Sequence, residues 1–514
     1  VEEVWIDEIE QMPTDSTLKL SPKPEKSFWQ LSALMAILLI GIFAFAGSIW
    51  YFQKASASDE INSIAVLPLK TLTENEDEKI LANGIRENIV SSLGGLKNLR
   101  VLSVETSEAE IGKLTNFDAA LLGTIQKTDG KVRVSLRLLK ISDTKQIWSG
   151  NFNELTADVF QLQDKISAEI TKSLSLNLSA QDREAVFKHE TNNREAYQNY
   201  LQGRYFFARR GDNYADSLKK AKPFFERAIE LDPNFAEAYI GLADTINLMT
   251  DESAKFDSTF DEGYKKAEKL ISKALAINPN LAEAHAAQGW IQSRYYWNLP
   301  EAEKSLLKAV ELNPNVPNFY IWLASINHYR GNLKTGIEFS QKALELDPTF
   351  SQGIIYLALS YAYDGQCEKA VELFPRMAQY AEDHAQKLQN EGNILAMCGR
   401  CQEAVPALLE AKKTYPNGRV VAFSLGDCYA RANQREQAEA ELKILDSGSF
   451  NGNTVLGKII IFNALGEMEK ALDLFSQYYK MKNPRLLKIN FDPRLKNLRN
   501  TPRYKQLISE LNLK

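Results

Sequence analysis

Four cysteines carry the strongest chemical options in this chain: Cys367, Cys398, Cys401 and Cys428, with Cys398-Gly399-Arg400-Cys401 spelling C-x-x-C. A dithiol at that spacing exchanges electrons inside a βαβ frame, and it ligates zinc when a second closely spaced pair completes the tetrahedron. The sequence supplies neither complement, so redox catalysis and metal ligation are both disfavoured. Four histidines, His189, His285, His328 and His384, lie without metal-ligand spacing and beside no nucleophile motif. Gly94-Gly95 ends a helical pattern and no G-K-[ST] follows, which makes it a turn rather than a phosphate cradle. Asp and Glu recur at helical surface spacing, the mark of a solvated face. No catalytic residue, metal site or cofactor is expected, and the chain reads as one that binds rather than converts.

The elements that would position the thiols follow a ruler. Pro279, Pro314, Pro348 and Pro416 stand 35, 34 and 68 residues apart, the last gap being two periods of 34. In that register a small residue opens the second helix at Ala221, Ala267, Ala302, Ala370, Ala404 and Ala438, and the first helices repeat Gly203, Ala243, Gly289, Ala324, Ala358, Gly392 and Gly426. Small groups let two helices cross closely, and large ones such as Phe225, Tyr361, Tyr429 and Phe475 fill the gaps. The pattern resembles the tetratricopeptide repeat, whose W-x2-L-G-x2-Y helix is followed by A-x3-F-x2-A and a terminal Pro. About eight units are expected over 193–487, with a capping segment at 488–514. Gly336 in place of Ala, Glu382 in place of Pro, and an insertion near 251–261 depart from the pattern.

Cys367 and Cys401 share one place in adjacent units, at the start of helix B, whereas Cys398 and Cys428 lie late in helix A. Helix B of one unit packs beside helix A of the next. Two inter-repeat disulfides, Cys367 with Cys398 and Cys401 with Cys428, therefore stand against the alternative of four separate structural thiols.

Ahead of the repeats, 62–178 reads as a small α/β sandwich. Residues 63–68 read as a short buried-strand run, 79–93 as a helix, and 99–104 as a strand. Residues 119–126 and 132–138 alternate around Asp129-Gly130 as a hairpin, 146–152 adds a strand, and 157–174 a helix. The stretches "SIAVLPL", "ILANGIRENIVSSLGGLKNLRVLS", "LLGTIQKTDGKVRVSLRLLKISDTKQIWSGNF" and "VFQLQDKISAEI" resemble, in order, the TolB amino-terminal-like domain. "FERAIELDPNFAEAYIGLAD" and the closing "FDPRLKNLRNTPRYKQL" fit the repeats of the same group. That resemblance implies the membrane-distal part of bacterial signalling proteins, in which a single membrane helix joins it to a CadC-like winged helix, a nucleotide cyclase or a Ser/Thr kinase. No such output module is visible in the sequence.

Residues 28–52 hold no charge and are flanked by Trp29 and by Trp50-Tyr51, the composition of a transmembrane helix. Lys19, Lys23 and Lys26 on one side against Lys54 on the other favour a cytoplasmic N-terminus. The acidic, Pro-punctuated 1–27 then reads as a cytoplasmic tail or linker, 53–61 and 179–192 as connectors, and everything after the helix as periplasmic. Ser32, Ala36, Ala44 and Ser48 form a small-residue seam through which two copies could associate as a homodimer. The expected class is therefore α+β overall: one transmembrane helix, a small α/β sandwich domain, then an all-α solenoid, placed in the inner membrane as a single-pass protein.

A net charge of −5, with no basic stripe, offers nucleic acid no attraction. Projecting the repeat register onto the concave face gives Asp244, Asn247, Trp290, Ser293, Arg294, Ser325, His328, Tyr329, Tyr363, Asn390, Asn393, Asp427 and Arg431 as a partner-binding groove. Aromatic, Arg and amide groups suit an extended peptide or protein segment. The function expected is a membrane-anchored sensor and interaction protein in signal transduction; the non-catalytic part of a receptor cyclase or kinase, or a free-standing scaffold, are the alternatives.

Overall fold

The computed structural model describes residues 61–510, apart from 95, 97–98, 129, 156–158, 175–185, 187–189, 210–213, 252–259, 381–382, 448–451 and 480–483. Strands β1 (Ser63–Val66), β2 (Lys70–Thr71), β3 (Arg100–Ser103), β4 (Ala119–Thr128), β5 (Lys131–Lys140) and β6 (Gln146–Leu155) form one mixed sheet. Its order is β3-β1-β4-β5-β6, with β2 pairing β4. β1 runs parallel to β3 and β4, and β4, β5 and β6 form an antiparallel meander. Alternation along β5 buries Val132, Val134, Leu136 and Leu138 while Arg133 and Arg137 face water. The buried row packs under helices α1 (Glu76–Gly94) and α2 (Val159–Ser173) through Ile85, Ile89, Leu162, Ile166 and Ile170.

Among the described residues eight helix pairs follow: α3 (Arg194–Ala208) with α4 (Tyr214–Leu231), α5 (Ala236–Asp251) with α6 (Phe260–Ile277), α7 (Ala282–Arg294) with α8 (Leu299–Leu312), and α9 (Pro317–Tyr329) with α10 (Leu333–Leu346). Then come α11 (Ser351–Tyr363) with the divided α12 (Cys367–Glu372) and α13 (Phe374–Gln379), α14 (His384–Met397) with α15 (Cys401–Thr414), α16 (Arg419–Arg431) with α17 (Arg435–Ser447), and α18 (Gly452–Ala464) with α19 (Met468–Tyr479). Pro375 divides the second helix of the fifth pair, since it has no N–H to donate and crowds the preceding turn.

The small residues work as spacers. A Cβ on Gly203 or Gly241 would come within 2.7 or 2.4 Å of the buried Phe225 ring, so both neighbouring first helices close on that one side chain. A second ruler lies in the backbone: Gly331, Gly365 and Gly399 end first helices at φ 79°, 77° and 74°, and Asn433 takes the corresponding place at φ 58°. These positions are 34 residues apart, and each needs the left-handed conformation that lets a helix turn back on itself.

The sheet layer touches the solenoid twice. At the first pair, Arg204 bonds Glu87 at 2.6 Å, Gln163 Nε2 donates to the Tyr197 hydroxyl at 3.0 Å, and Leu201 packs against Gly84. At the fourth pair, Arg100 and the Asn116 amide each donate to the Glu345 carbonyl at 3.1 Å. There the second face of the sheet, Ala65, Leu67, Leu102 and Leu122, shares a core with Tyr320, Ile321, Ala343 and Leu346. The chain closes with 3-10 turns at Pro484–Asn490 and Pro493–Leu495, then α20 (Lys496–Arg499) and α21 (Pro502–Glu510).

Two expectations are corrected. Among the described residues no helix is long and apolar enough to cross a membrane; a bilayer core needs about 20 apolar helical residues, and the uncharged helices α9 and α11 have 13 residues each. Among the described residues the fold is a small sheet layer followed by a helical solenoid, without the expected transmembrane helix, and single-pass inner-membrane placement with a periplasmic bulk is not supported. The stretch 28–52 on which both rested, its small-residue seam, and the flanking 1–27 and 53–60 lie outside the described residues.

Candidate functional site: the inner face of the solenoid

The first helices of successive pairs touch one another along the row more than the second helices do, which makes α3, α5, α7, α9, α11, α14, α16 and α18 the inner face. The residues expected to line a groove separate there into two patches and a remainder.

The first patch centres on Trp290 and Arg294 of α7. The Arg294 guanidinium lies 4.3 Å over the Trp290 ring, which also meets Trp322 of α9 at 5.3 Å. Burial draws the Arg294 pKa down, but Tyr329, Asp251, Tyr264 and Tyr356 around it more than offset that and hold it above the ordinary arginine value. The Trp290 Nε1 is buried without a hydrogen-bond partner. A stacked guanidinium with tyrosine oxygens nearby can take a carboxylate or a carbonyl together with an apolar side chain.

The second patch holds His328, Tyr329, Tyr363, Asn393 and Asp427, and it is occupied by the chain itself. Phe491 inserts its ring among Tyr363 at 4.6 Å, His328 at 5.8 Å and Tyr329 at 5.9 Å. Arg494 donates to Asn393 Oδ1 at 3.3 Å, lies 5.3 Å over the Phe423 ring, and pairs with Asp492 at 2.7 Å. Asp492 and Arg494 are both buried, as are Leu486, Leu487, Ile489, Phe491 and Leu495. Burial pushes the Asp492 carboxyl up, but the Arg494 charge and hydrogen bonds more than offset this and hold it below the usual carboxylate range. Asp427 ends on the other side, because burial holds its carboxyl above the ordinary value although Arg431 Nε bonds its Oδ1 at 2.9 Å. Burial, helped by Lys488, lowers His328 to about 4, so the ring is neutral, and its Nε2 has no partner.

The remaining residues are not assembled into a groove. Ser293 and Ser325 are turned back to carbonyls of their own helices, Trp290 and Ile321, at 2.9 and 3.0 Å. Asn247 is buried with both amide atoms unpartnered. Asp244 and Asn390 are half-buried, and Arg431 is exposed. Phe491, Asp492 and Arg494 were missed by the register, because they follow the last repeat and share no period with it. Their signal was local: an aromatic followed by Asp-Pro-Arg, in which Asp492 caps the Pro493 turn by accepting from the Arg494 amide at 3.0 Å.

The thiols are joined as Cys367–Cys398 and Cys401–Cys428, with Cα atoms 5.8 and 5.3 Å apart, and tie the end of one first helix to the preceding second helix across pairs five to seven.

A tetratricopeptide repeat family model matches residues 216–235 and 317–350. One relative, named putative adenylate cyclase 3 of Rhizobium meliloti (strain 1021), is 25% identical over 199 residues, 36% of this chain; the chain spans 33% of that relative's length. Among solved structures, a tetratricopeptide repeat protein from Parabacteroides merdae ATCC 43184 is 18% identical with a TM-score of 0.37, covering 50% of this chain and 99% of its own. Pseudomonas aeruginosa PilF is 19% identical with a TM-score of 0.33, covering 44% and 95%. The chain carries tetratricopeptide repeats, and with them the scaffold of a protein-interaction module.

Proposed function

We propose that this chain is the recognition part of a signalling protein, whose solenoid takes an extended peptide or protein segment on its inner face. The sheet layer, read as TolB amino-terminal-like from its sequence, would carry the bound state onward. One observation supports this above the others. The inner face already seats an irregular stretch, through ring contacts to Phe491 and polar contacts to Arg494. A surface with that chemistry suits a second segment of similar kind at the Trp290–Arg294 patch.

A second reading is favoured by the Rhizobium relative: the chain serves as the non-catalytic, regulatory part of a nucleotide cyclase system, the synthesis being done by a catalytic module linked to it or recruited by it. The same recognition surface serves both readings.

The test is Trp290→Ala with Arg294→Ala. Buried aromatic and Arg anchors commonly lose about 2 kcal/mol or more on truncation. Proteins retained by the wild-type chain on an affinity matrix should be lost by at least about tenfold from the variant, with its thermal melting unchanged. Equal retention by the folded variant would move recognition off this face.

A further inference from the structure

We propose that Phe491-Asp492-Pro493-Arg494 is an intramolecular ligand of the inner face, displaced by a partner that presents the same aromatic-Asp-Pro-Arg chemistry. The inference rests on the reading of the inner face as the recognition surface, and adds both the class of segment it takes and the device that masks it.

Two features set this arm apart from the rest of the closing segment. Its contacts skip along the row. Phe491 meets α9 and α11 through His328, Tyr329 and Tyr363, and Arg494 meets α14 and α16 through Asn393 and Phe423. A bound peptide crosses successive first helices in this way, whereas a capping helix packs on the last pair alone, as α21 does through Tyr504 on Phe475 and Arg503 on Glu469 and Asp473. The arm also brings its own charge balance, since Arg494 is neutralised by Asp492 two residues away instead of by an acid of the groove. Asp427 faces Arg494 but bonds Arg431, leaving its Oδ2 buried and unpartnered.

The fit is therefore incomplete. Asp427 Oδ2 is buried without a hydrogen bond beside the arm, and the unmade bond lowers the hold on the present occupant. A partner that supplies an N–H to Asp427 Oδ2, while keeping the ring and the guanidinium, gains over the arm. Against this the arm has the advantage of tethering, with an effective concentration in the millimolar range for a short linker. Masking of that kind prevents loose binding and admits a partner that offers the extra hydrogen bond.

The test uses the whole chain and a fluorescent peptide of residues 488–498, Lys-Ile-Asn-Phe-Asp-Pro-Arg-Leu-Lys-Asn-Leu. Anisotropy titrations compare the wild type with a Phe491→Ala, Arg494→Ala variant. The variant is expected to bind the peptide at least about tenfold more tightly, and a further Tyr363→Ala should abolish that gain. A folded variant that binds no better than wild type overturns the proposal. Should the variant fail to fold, hydrogen exchange on the wild type decides: amides 490–495 exchanging at least about tenfold faster than those of α16 and α18 support a displaceable arm, and equal protection overturns it. Failure here, with capture still dependent on Trp290 and Arg294, removes the masking arm and leaves the recognition surface standing; loss of both dependences removes the surface as well.

Discussion

Replacing Cys367 and Cys398 by alanine should loosen the fifth pair far more than any other part of the solenoid. The cross-link closes a loop with a sequence separation of 31. In the chain-entropy picture this restrains the unfolded chain by about 12 cal/mol/K, or roughly 3.7 kcal/mol at 25 °C. The shorter separation of 27 at Cys401–Cys428 gives a similar figure, roughly 3.5 kcal/mol. In a solenoid such a term is felt locally, because each unit is held by its neighbours alone. The fifth pair is also the least regular, its second helix being two pieces of 6 residues on either side of Leu373. Hydrogen exchange with mass spectrometry reads the effect unit by unit. Amides in 367–379 should exchange roughly 100- to 500-fold faster in the variant, those of α3 to α8 being unchanged. The same pattern should appear in wild-type protein after reduction, with intact mass confirming the four added hydrogens. An increase below about threefold at 367–379, in protein shown to be folded, would refute the reasoning that the cross-link restrains this unit.

Three further outcomes are expected. Because the folded pKa of His328 is lowered from 6.5 to about 4, the unfolded chain binds the proton first; stability should be intact above about pH 6.5 and fall between there and pH 4, and urea midpoints of His328→Phe should lack that slope. Glu190 behaves in the opposite sense: burial and the nearby Glu237 raise its carboxyl from 4.5 to about 8, so the group costs stability as pH rises from about 4.5 through 8, and Glu190→Gln should flatten the urea-midpoint profile across that window. Gly336→Ala places a Cβ 2.3 Å from the His328 ring, which is itself wedged between Tyr363 and Phe491, and should cost about 1–3 kcal/mol in denaturant titrations; a wild-type midpoint would show that the ring yields freely.

Legibility in the sequence followed periodicity. The repeat register could be read because close helix crossing demands a small residue at fixed intervals, and the meander because β5 alternates strictly. Gly336 looked like a departure from the Ala pattern, and the structure supplies the reason: the His328 ring stands where the methyl would go. The backbone ruler of Gly331, Gly365, Gly399 and Asn433 was present in the sequence but hidden behind the prolines. The groove was harder to read. A register projection places side chains on a face without saying what else in the chain covers it, and Arg494 meets Asn393 across 101 residues with no repeating signal. Hydropathy at 28–52 suggested a span for which the described helices offer no counterpart.

The double attachment of the sheet layer changes the mechanics of the repeats it brackets. A free solenoid behaves as a strip that stretches and twists by small increments at every joint. Here Arg204 on Glu87 at one end, and Arg100 with Asn116 on the Glu345 carbonyl at the other, pin the first and fourth units to a single stiff plate. The strip becomes a closed frame, and a frame cannot change its pitch without tilting the plate. Any ligand that alters the crossing of α7 on α9 therefore exerts torque on the sheet layer, whereas the units beyond the fourth remain outside the frame, the fifth to the seventh coupled in sequence by the two cross-links.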